Sequence, residues 1–129
     1  MFRSDLLTDR RVLITGGGSG LGKSLGRRVL ELGADLVICG RRADRLESAR
    51  AEFDADFPGR TETHVCDIRD AEAVDGMLDT IWQAGPLDAL VNNAAGNILA
   101  KSEELSPRAF DAVTSIVLNG TAYVTLGCG

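Results

Sequence analysis

The sequence predicts an α/β domain in which a parallel β-sheet is covered by helices on both faces. Short apolar runs of β type alternate four times with longer stretches whose apolar residues recur at helical spacing, as in a sheet built from strand–helix–strand units. The length of 129 residues, 44% of them hydrophobic, matches one domain with a buried core. Right-handed crossovers would place the strands in the spatial order 3-2-1-4.

Four segments are predicted to be strands, namely residues 11–15, 35–39, 61–66 and 87–91. The first two are short apolar runs, as expected of buried strands, and the third is rich in β-branched residues. An open doubly wound sheet normally continues past its fourth strand, which would otherwise be an uncovered edge. We therefore expect residues 1–129 to be an incomplete domain, the N-terminal four-strand portion, with the C-terminal strands missing.

Each predicted strand is followed by an amphipathic stretch with its own start or stop signals. Gly33 ends the first stretch, Asp70 caps the third, and Ser106 caps the fourth with Pro107 at its first helical position. The predicted apolar stripes are Leu21, Leu25, Val29 and Leu32; Leu46, Ala49, Phe53 and Phe57; Val74, Met77, Leu78 and Ile81; and Phe110, Val113, Ile116, Val117 and Gly120.

Composition argues against several classes of function. A net charge of −5 offers no basic face for general nucleic-acid binding. The sequence contains no apolar window near the roughly 20 residues of a membrane span, and its first residues are not a secretory signal. Cys39, Cys66 and Cys128 lack metal-binding spacing, so we expect reduced thiols and no metal. The prediction is a cytoplasmic protein that binds a small molecule, with neither nucleic acid nor membrane as partner.

A glycine-rich segment, residues 15–22, joins the first strand to the first helix. Glycines at this place let the backbone approach a pyrophosphate, and the helix amides then face its negative charge. Flexible loops are also rich in glycine, but the position between a buried strand and an amphipathic helix favours phosphate binding. The candidate cofactor-binding residues here are Gly16, Gly18, Ser19, Gly20, Leu21 and Gly22.

The spacing of Gly16, Gly20 and Gly22 resembles the T-G-x-x-x-G-x-G fingerprint of the short-chain dehydrogenase/reductase family. Residues 92–96 (NNAAG) are similar to the N-N-A-G element of that family, with one added alanine. The resemblance extends over essentially all 129 residues and implies a Rossmann-type doubly wound sheet that binds a nicotinamide dinucleotide. Because the N-N-A-G element borders the cofactor in that family, the resemblance adds Asn93, Ala94 and Gly96 to the candidates.

The end of the second strand favours NADP(H) over NAD(H). Cys39 is followed by Gly40, where an NAD-dependent enzyme usually has an Asp or Glu for the ribose hydroxyls. The next residues, Arg41 and Arg42, have guanidinium groups that can pair with the 2′-phosphate of NADP(H). The alternative is that they begin a solvated helix face with Arg45, and Arg41 is the better placed of the two for the phosphate role.

Asp67 and Ile68 follow the third strand. In the family, an Asp here accepts a hydrogen bond from the adenine amino group and the next residue lies against the ring, so the resemblance implies these roles. The alternative is that Asp67 helps to cap the helix that begins near Asp70.

Short-chain reductases use a Tyr as acid or base, a Lys that lowers its pKa, and a Ser and an Asn. Asn119 matches that Asn by its place in the helix after the N-N-A-G element; the alternative is a buried Asn that hydrogen-bonds another helix. The only tyrosine, Tyr123, has Gly127 four residues later, so the Tyr-x-x-x-Lys pair is not in this sequence. We expect residues 1–129 to be inactive by themselves.

Residues 93–97, 105–107 and 116–121 are similar to 2,4-dienoyl-CoA reductases within the family, which are NADPH-dependent. This implies an acyl-CoA substrate and makes Arg69 a candidate contact to CoA, with a charged surface turn as the alternative for Arg69. One alternative activity is a general ketone or alcohol reductase. Another is a non-catalytic dinucleotide-binding module that ends at Gly129. The family usually forms dimers and tetramers, so the resemblance also implies a homo-oligomer.

Overall fold

The computed structural model describes residues 2–129, which form a parallel four-stranded sheet with helices on both faces. The elements in chain order are β1 (Arg11–Thr15), α1 (Gly20–Glu31), β2 (Asp35–Gly40), α2 (Ala43–Asp56), β3 (Thr61–Val65), α3 (Ala71–Gln83), β4 (Ala89–Val91), a 3₁₀ turn (Ser102–Glu104), α4 (Pro107–Thr114), a π-helical segment (Ser115–Gly120) and α5 (Thr121–Cys128).

The strands lie in the order β3-β2-β1-β4, and the three pairings are parallel, which confirms the predicted fold class and strand order. The predicted bounds of β1 match, while β4 begins at Ala89, two residues later than expected. The backbone N–H of Asp88 still donates to the carbonyl oxygen of Arg11 at 2.8 Å, but the N–H of Arg11 donates to the Asp88 carboxylate at 2.8 Å and not to a backbone carbonyl oxygen.

Alternate residues of the central strands enter two separate apolar layers. Val12 and Ile14 of β1 pack toward α1 and α2, while Leu13 packs on the opposite face toward α3 and α5. Successive side chains of a strand point to opposite faces, and here both faces are buried. The central strands therefore have continuous apolar sequences. The side chains of Phe53 in the first layer and Ile81 in the second are fully buried.

The last predicted apolar stripe is corrected by the structure. Phe110 and Val117 are exposed, and Gly120 is buried. From Ser115 onward the wider turns of the π-helical segment change the angular spacing of side chains, so a stripe traced at 3.6 residues per turn does not continue through Val117 on one face. Phe110 precedes this segment, in α4, and its exposure is not explained by it.

Arg11 ties together three elements at the amino-terminal edge of the sheet. Its guanidinium group donates to the carbonyl oxygens of Ile81 and Gly85, each at 2.7 Å, and thereby satisfies the end of α3. It also pairs with Glu62 of β3 at 2.6 Å. This network lies at the edge opposite the strand ends that form the site described below. Across residues 2–129, none of the helices is both long enough and apolar enough for a membrane crossing.

Candidate functional site

A cleft of about 300 Å³ lies at the carboxyl ends of the strands, among the loops that follow β1, β2, β3 and β4. The crevice outside the carboxyl ends is where open parallel sheets bind ligands, because the loops there diverge to opposite faces of the sheet. The residues that line it are Gly16, Ser19, Cys39, Gly40, Arg41, Cys66, Asp67, Ile68, Asn93, Ala94, Ala95 and Ile116.

The glycine turn after β1 needs glycine for two separate physical reasons. Gly16 and Gly20 have φ angles of 67° and 56°, a left-handed conformation that side chains disfavour. Gly22 is needed for its lack of volume, because a Cβ atom there would overlap the carbonyl oxygen of Gly16 and lie 2.5 Å from Nδ2 of Asn93. The turn and the first turn of α1 are therefore in direct contact with the segment after β4.

In the described residues, 2–129, the amino terminus of α1 has neither a side-chain cap nor an acidic residue in its first turn. Ser19 precedes the helix in an extended conformation and its side chain makes no capping hydrogen bond. The first turn of α1 contains no acidic residue. The amides and the positive end of the helix dipole are thus left to interact with an anion, and Ser19 itself lines the cleft.

Thr15 joins the glycine turn to the segment after β4. Its Oγ1 accepts hydrogen bonds from the backbone N–H groups of Asn93 and Ala94, each at 3.0 Å, and only 1% of the residue is exposed. The side-chain amide of Asn93 donates to the carbonyl oxygen of Gly16 at 3.2 Å. Asn92 donates to Oγ1 of Thr125 in α5 at 3.0 Å.

Thr15 and Asn92 are not among the residues predicted from the sequence, although both hold the segment after β4 in place. One signal was available for Thr15, since a hydroxyl at the end of a buried apolar strand needs a hydrogen-bond partner. The structure shows that partner to be the backbone of the neighbouring loop.

The arginines after β2 differ in their surroundings. Arg41 lines the cleft and also an adjoining pocket of about 150 Å³. Arg42 lines only the adjoining pocket, and its Nη2 donates to Asp44 at 2.9 Å. This pairing holds the pKa of Asp44 below its usual value. Arg45 lines the same pocket, although sequence analysis assigned it to a solvated face.

The carboxylate of Asp67 lines the cleft and is held by Arg69. The Nη2 atom of Arg69 donates to Oδ2 at 2.6 Å, its Nε to Oδ1 at 3.0 Å, and its backbone N–H to Oδ1 at 3.0 Å. These hydrogen bonds lower the pKa of Asp67. The cap of α3 is Asp70, whose side chain accepts from the N–H groups of Glu72 and Ala73. The alternative that the Asp67 side chain caps this helix is therefore wrong.

The π-helical segment packs against Ile68 through Gly120. Gly120 is buried, and a Cβ atom at this position would lie 2.7 Å from the side chain of Ile68. Ile68 thus rests on the helix backbone and lines the cleft. Asn119, the preceding residue, is exposed, so the alternative of a buried Asn that bonds a neighbouring helix is wrong.

Two cysteines that sequence analysis did not place in the site lie in the cleft wall. Burial raises the pKa of the Cys39 thiol to about 12, and burial also raises the pKa of Cys66. The thiols are therefore protonated at neutral pH and act as apolar wall groups. All three cysteines are free. Residues 2–129 contain no cluster of His, Cys, Asp and Glu side chains suited to a metal ion.

The structure brings most of the sequence-predicted residues to one place. Those that line the cleft are Gly16, Ser19, Arg41, Asp67, Ile68, Asn93 and Ala94, and those that line only the adjoining pocket are Gly18 and Arg42. Gly20, Leu21, Gly22, Gly96, Arg69 and Asn119 lie outside both linings. Among these, Leu21 is 69% exposed, and Gly96 packs against Ile116, whose Cδ1 would lie 2.9 Å from an added Cβ.

Comparisons with known proteins agree with this geometry. The chain is 40% identical over 115 residues to the protein named probable 2,4-dienoyl-CoA reductase of Bacillus subtilis (strain 168), an alignment that covers 88% of this chain and 45% of that protein. It is 35% identical over 119 residues to gluconate 5-dehydrogenase of Gluconobacter oxydans (strain 621H), with 92% of this chain and 46% of that protein covered.

A solved short chain dehydrogenase from Bacillus anthracis str. 'Ames Ancestor' superposes with a TM-score of 0.88 at 40% sequence identity, covering 93% of this chain and 48% of the other. The chain thus spans a little under half the length of these relatives. The family model described as short chain dehydrogenase matches residues 10–128. The chain therefore belongs to the short chain dehydrogenase family.

Proposed function

We propose that the whole protein is an NADP(H)-dependent oxidoreductase and that residues 1–129 form the N-terminal part of its dinucleotide-binding domain. One observation carries the proposal. A single cleft contains the uncompensated amino terminus of α1, the guanidinium group of Arg41 and the carboxylate of Asp67. These groups complement a pyrophosphate, a 2′-phosphate and an adenine amino group, which are the parts of one dinucleotide.

The turn after β1 leaves room for a pyrophosphate at Gly20. Within residues 2–129, no heavy atom beyond its chain neighbours and the backbone of its own helix lies within 4 Å of the Cβ position there. Gly16, Gly18, Ser19, Gly20, Leu21 and Gly22 would hold this group through the turn and the α1 amides. Asp67 would accept the adenine amino group and Ile68 would support the ring, while Asn93, Ala94 and Gly96 would border the nicotinamide side.

Arg41 is the main candidate for the 2′-phosphate because it faces the cleft and the adjoining pocket. Arg42 is the second candidate, and it would reach the phosphate through Nη1, because Asp44 engages its Nε and Nη2 atoms. Lack of an acidic residue at Gly40 removes the repulsion that a carboxylate would exert on the phosphate.

A nicotinamide dinucleotide, when bound, supplies or accepts a hydride. We propose Asn119 as a member of the catalytic group, because it is exposed on the π-helical segment next to the residue that contacts Ile68. Residues outside this sequence would supply the Tyr and Lys that hold and transfer the proton, so residues 1–129 by themselves would not turn over substrate.

We propose a conjugated acyl-CoA as substrate, supported by the identity to a protein named as a 2,4-dienoyl-CoA reductase. Arg69 would reach CoA through Nη1, because Asp67 engages its Nε and Nη2 atoms. A general ketone or alcohol reductase is the second candidate, favoured by the similarity to gluconate 5-dehydrogenase. A homo-oligomer and a cytoplasmic location complete the proposal. Gel filtration tests the first, and cell fractionation with a peroxisomal marker tests the second.

The deciding experiment measures the binding of NADPH and NADH to the full-length protein by calorimetry, and then the oxidation of NADPH with a 2,4-dienoyl-CoA or a simple ketone. Tighter binding of NADPH and turnover of the dienoyl-CoA support the proposal. Turnover of the ketone alone supports the second candidate. Binding of neither dinucleotide would overturn both and favour a module with another ligand.

A further inference from the structure

The π-helical segment, Ser115–Gly120, contacts the loops that follow two different strands. Near its start, Ile116 lines the cleft, and an added Cβ atom at Gly96 would lie 2.9 Å from the Cδ1 of Ile116. At its end, an added Cβ atom at Gly120 would lie 2.7 Å from both Cδ1 and Cγ1 of Ile68. The segment therefore packs against the loop after β4 through Ile116 and against the loop after β3 through Gly120.

Gly120 allows a close approach that its backbone conformation does not itself require. Its φ and ψ angles are −60° and −43°, which are ordinary α-helical values that other residues adopt freely. Alanine is the better helix former at such a position. Outside its own helix and its chain neighbours, the three heavy atoms nearest to an added Cβ atom all belong to Ile68. The lack of a side chain at Gly120 thus lets the helix backbone rest directly on Ile68.

Ile68 is a well-fixed support for this backbone. The N–H of Asp70 donates to the carbonyl oxygen of Asp67 at 3.0 Å, which closes the turn that contains Ile68. Only 6% of Ile68 is exposed, and the residue belongs to the apolar layer on the α3 and α5 side of the sheet. The same residue lines the cleft. Ile68 is therefore shared by the core, the cleft and the π-helical segment.

The contact at Gly120 lies one residue from Asn119. Leu118 and Asn119 are exposed, and the buried residue of the segment is Gly120. Asn and Gly are both poor helix formers, so the helix here is not held by its own propensity. Turns of π type are rare and occur frequently at functional sites. A shift of the Gly120 backbone on Ile68 would move Asn119, because Asn119 and Gly120 are adjacent in the chain.

We propose that Ile68 is a positioning residue for Asn119, and that a ring bound on Ile68 fixes Asn119 through Gly120. This inference rests on the proposed function, which assigns Ile68 to the adenine side of the cleft and Asn119 to the catalytic group. A ligand on Ile68 restricts the rotamers of that side chain, so Gly120 then rests on a single surface. Binding energy from the adenine half of the cofactor would thereby help to orient a group at the reacting half.

The first test measures hydrogen exchange in the full-length protein, with adenosine 2′,5′-bisphosphate as the probe. This compound contains the adenine half of NADP(H) and lacks the nicotinamide. At saturation, which calorimetry verifies, we expect it to slow amide exchange in Ser115–Gly120 by about threefold or more in the unsubstituted protein. The slowing should be less than about 1.5-fold in Ile68→Ala. Equal slowing in the two proteins, or none in the unsubstituted protein with the probe bound, would overturn the inference.

The second test asks whether Ile68 acts through Asn119. At saturating NADPH, Ile68→Ala should lower kcat of the full-length protein by about tenfold, because Asn119 is then less well placed. In the Asn119→Ala background, the same substitution should lower kcat by less than about twofold. The KM for NADPH should rise in both backgrounds, since the adenine contact is lost in both. An equal loss of kcat in the two backgrounds would show a general structural effect and overturn the inference.

Gly120→Ala tests the same contact from the helix. Its added Cβ atom overlaps Ile68, so kcat should fall by about tenfold, and Gly120→Ala combined with Ile68→Ala should regain about threefold, because space is then available. Gly76→Ala in α3, where the added Cβ atom has open space, is the control that keeps kcat. Full turnover by Gly120→Ala would contradict the proposed contact.

Thermal unfolding verifies that each variant is folded. If Ile68→Ala does not fold, Ile68→Val, which loses only the Cδ1 methyl group, provides the same comparisons with a loss of kcat of about threefold. Failure of the unsubstituted protein to bind NADPH and the probe would instead refute the proposed function, whereas binding and turnover without the expected coupling would refute only this inference.

Discussion

Replacement of Thr15 by Val should disconnect the glycine turn from the loop after β4. The substitution keeps the shape of the side chain but removes Oγ1, which accepts two backbone hydrogen bonds at 3.0 Å. Each such bond contributes about 1 kcal/mol net, and a donor left without a partner in a buried place costs about 1–3 kcal/mol. Because Asn93 and Ala94 are only half-buried and water can partly replace the acceptor, we expect a total loss of about 2–3 kcal/mol in the free energy of unfolding.

Urea unfolding followed by circular dichroism measures this loss, and NADPH titration should show weaker binding because Asn93 and Gly16 no longer hold a common position. Thr15→Ser is the matched control. It retains the hydroxyl and loses one methyl group, so its stability should fall by only about 1 kcal/mol. A loss under about 0.5 kcal/mol for Thr15→Val, or equal losses for both variants, would show that the two hydrogen bonds do not hold the loops together.

Three further predictions concern a glycine, a thiol and the exposed asparagine. Gly22→Ala should destabilise the protein by about 1–3 kcal/mol and reduce NADPH binding, because the added Cβ atom overlaps the carbonyl oxygen of Gly16. The control is Gly76→Ala in α3, where the added Cβ atom has open space, and it should be neutral or stabilising in the same urea assay. The free energy of unfolding should fall as the pH rises from about 9 toward 12, because the pKa of the Cys39 thiol is 9.0 in the unfolded chain and about 12 in the folded one. Urea titrations should show a decline of up to about 1.4 kcal/mol per pH unit. A flat profile would contradict the argument that burial raises this pKa. Asn119→Ala should change stability by less than about 0.5 kcal/mol and leave NADPH binding intact while lowering kcat of the full-length protein; unchanged turnover would remove Asn119 from the catalytic group.

The strand order and the location of the cleft were predictable because they depend on patterns spread over many residues. The alternation of apolar runs and amphipathic stretches implies a parallel sheet, and the right-handedness of crossover connections leaves few possible strand orders. Because the strands are parallel, the loops that follow them lie at the same edge of the sheet. Gly16, Asp67 and Asn93 therefore lie in one cleft, as expected from their places after β1, β3 and β4.

Pairing between charged side chains was not predictable, because it depends on rotamers and loop geometry more than on sequence spacing. Arg42 pairs with Asp44 at the start of α2, and Arg69 pairs with Asp67 in the turn before α3, each across only two residues. The spacing of residues in a helix predicts the face on which a charged side chain lies, but it does not identify the side chain with which it pairs. Arg45 is exposed, as expected of a solvated helix face, but it also lies beside the glycine turn in the adjoining pocket.

The π-helical geometry around Asn119 was not predictable for a different reason. The residues around it are apolar, which predicts a buried helix face at regular α-helical spacing. The structure has a π-helical segment at Ser115–Gly120, and no simple residue pattern announces the extra residue in such a turn. The poor helix propensity of Asn119 with Gly120 was the available signal, and it indicated an irregularity without specifying its form.

The hydrogen bonds of Arg11 stabilise the edge of the sheet that lies away from the cleft. Its bonds to Glu62 and to the carbonyl groups of Ile81 and Gly85 hold β1, β3 and the end of α3 at the edge of the sheet remote from the cleft. Loops at the carboxyl ends can then adapt to a ligand while the opposite edge stays fixed. Amide protons near Arg11 should accordingly exchange with solvent only when the whole domain opens, whereas those of the cleft loops should exchange through small local motions.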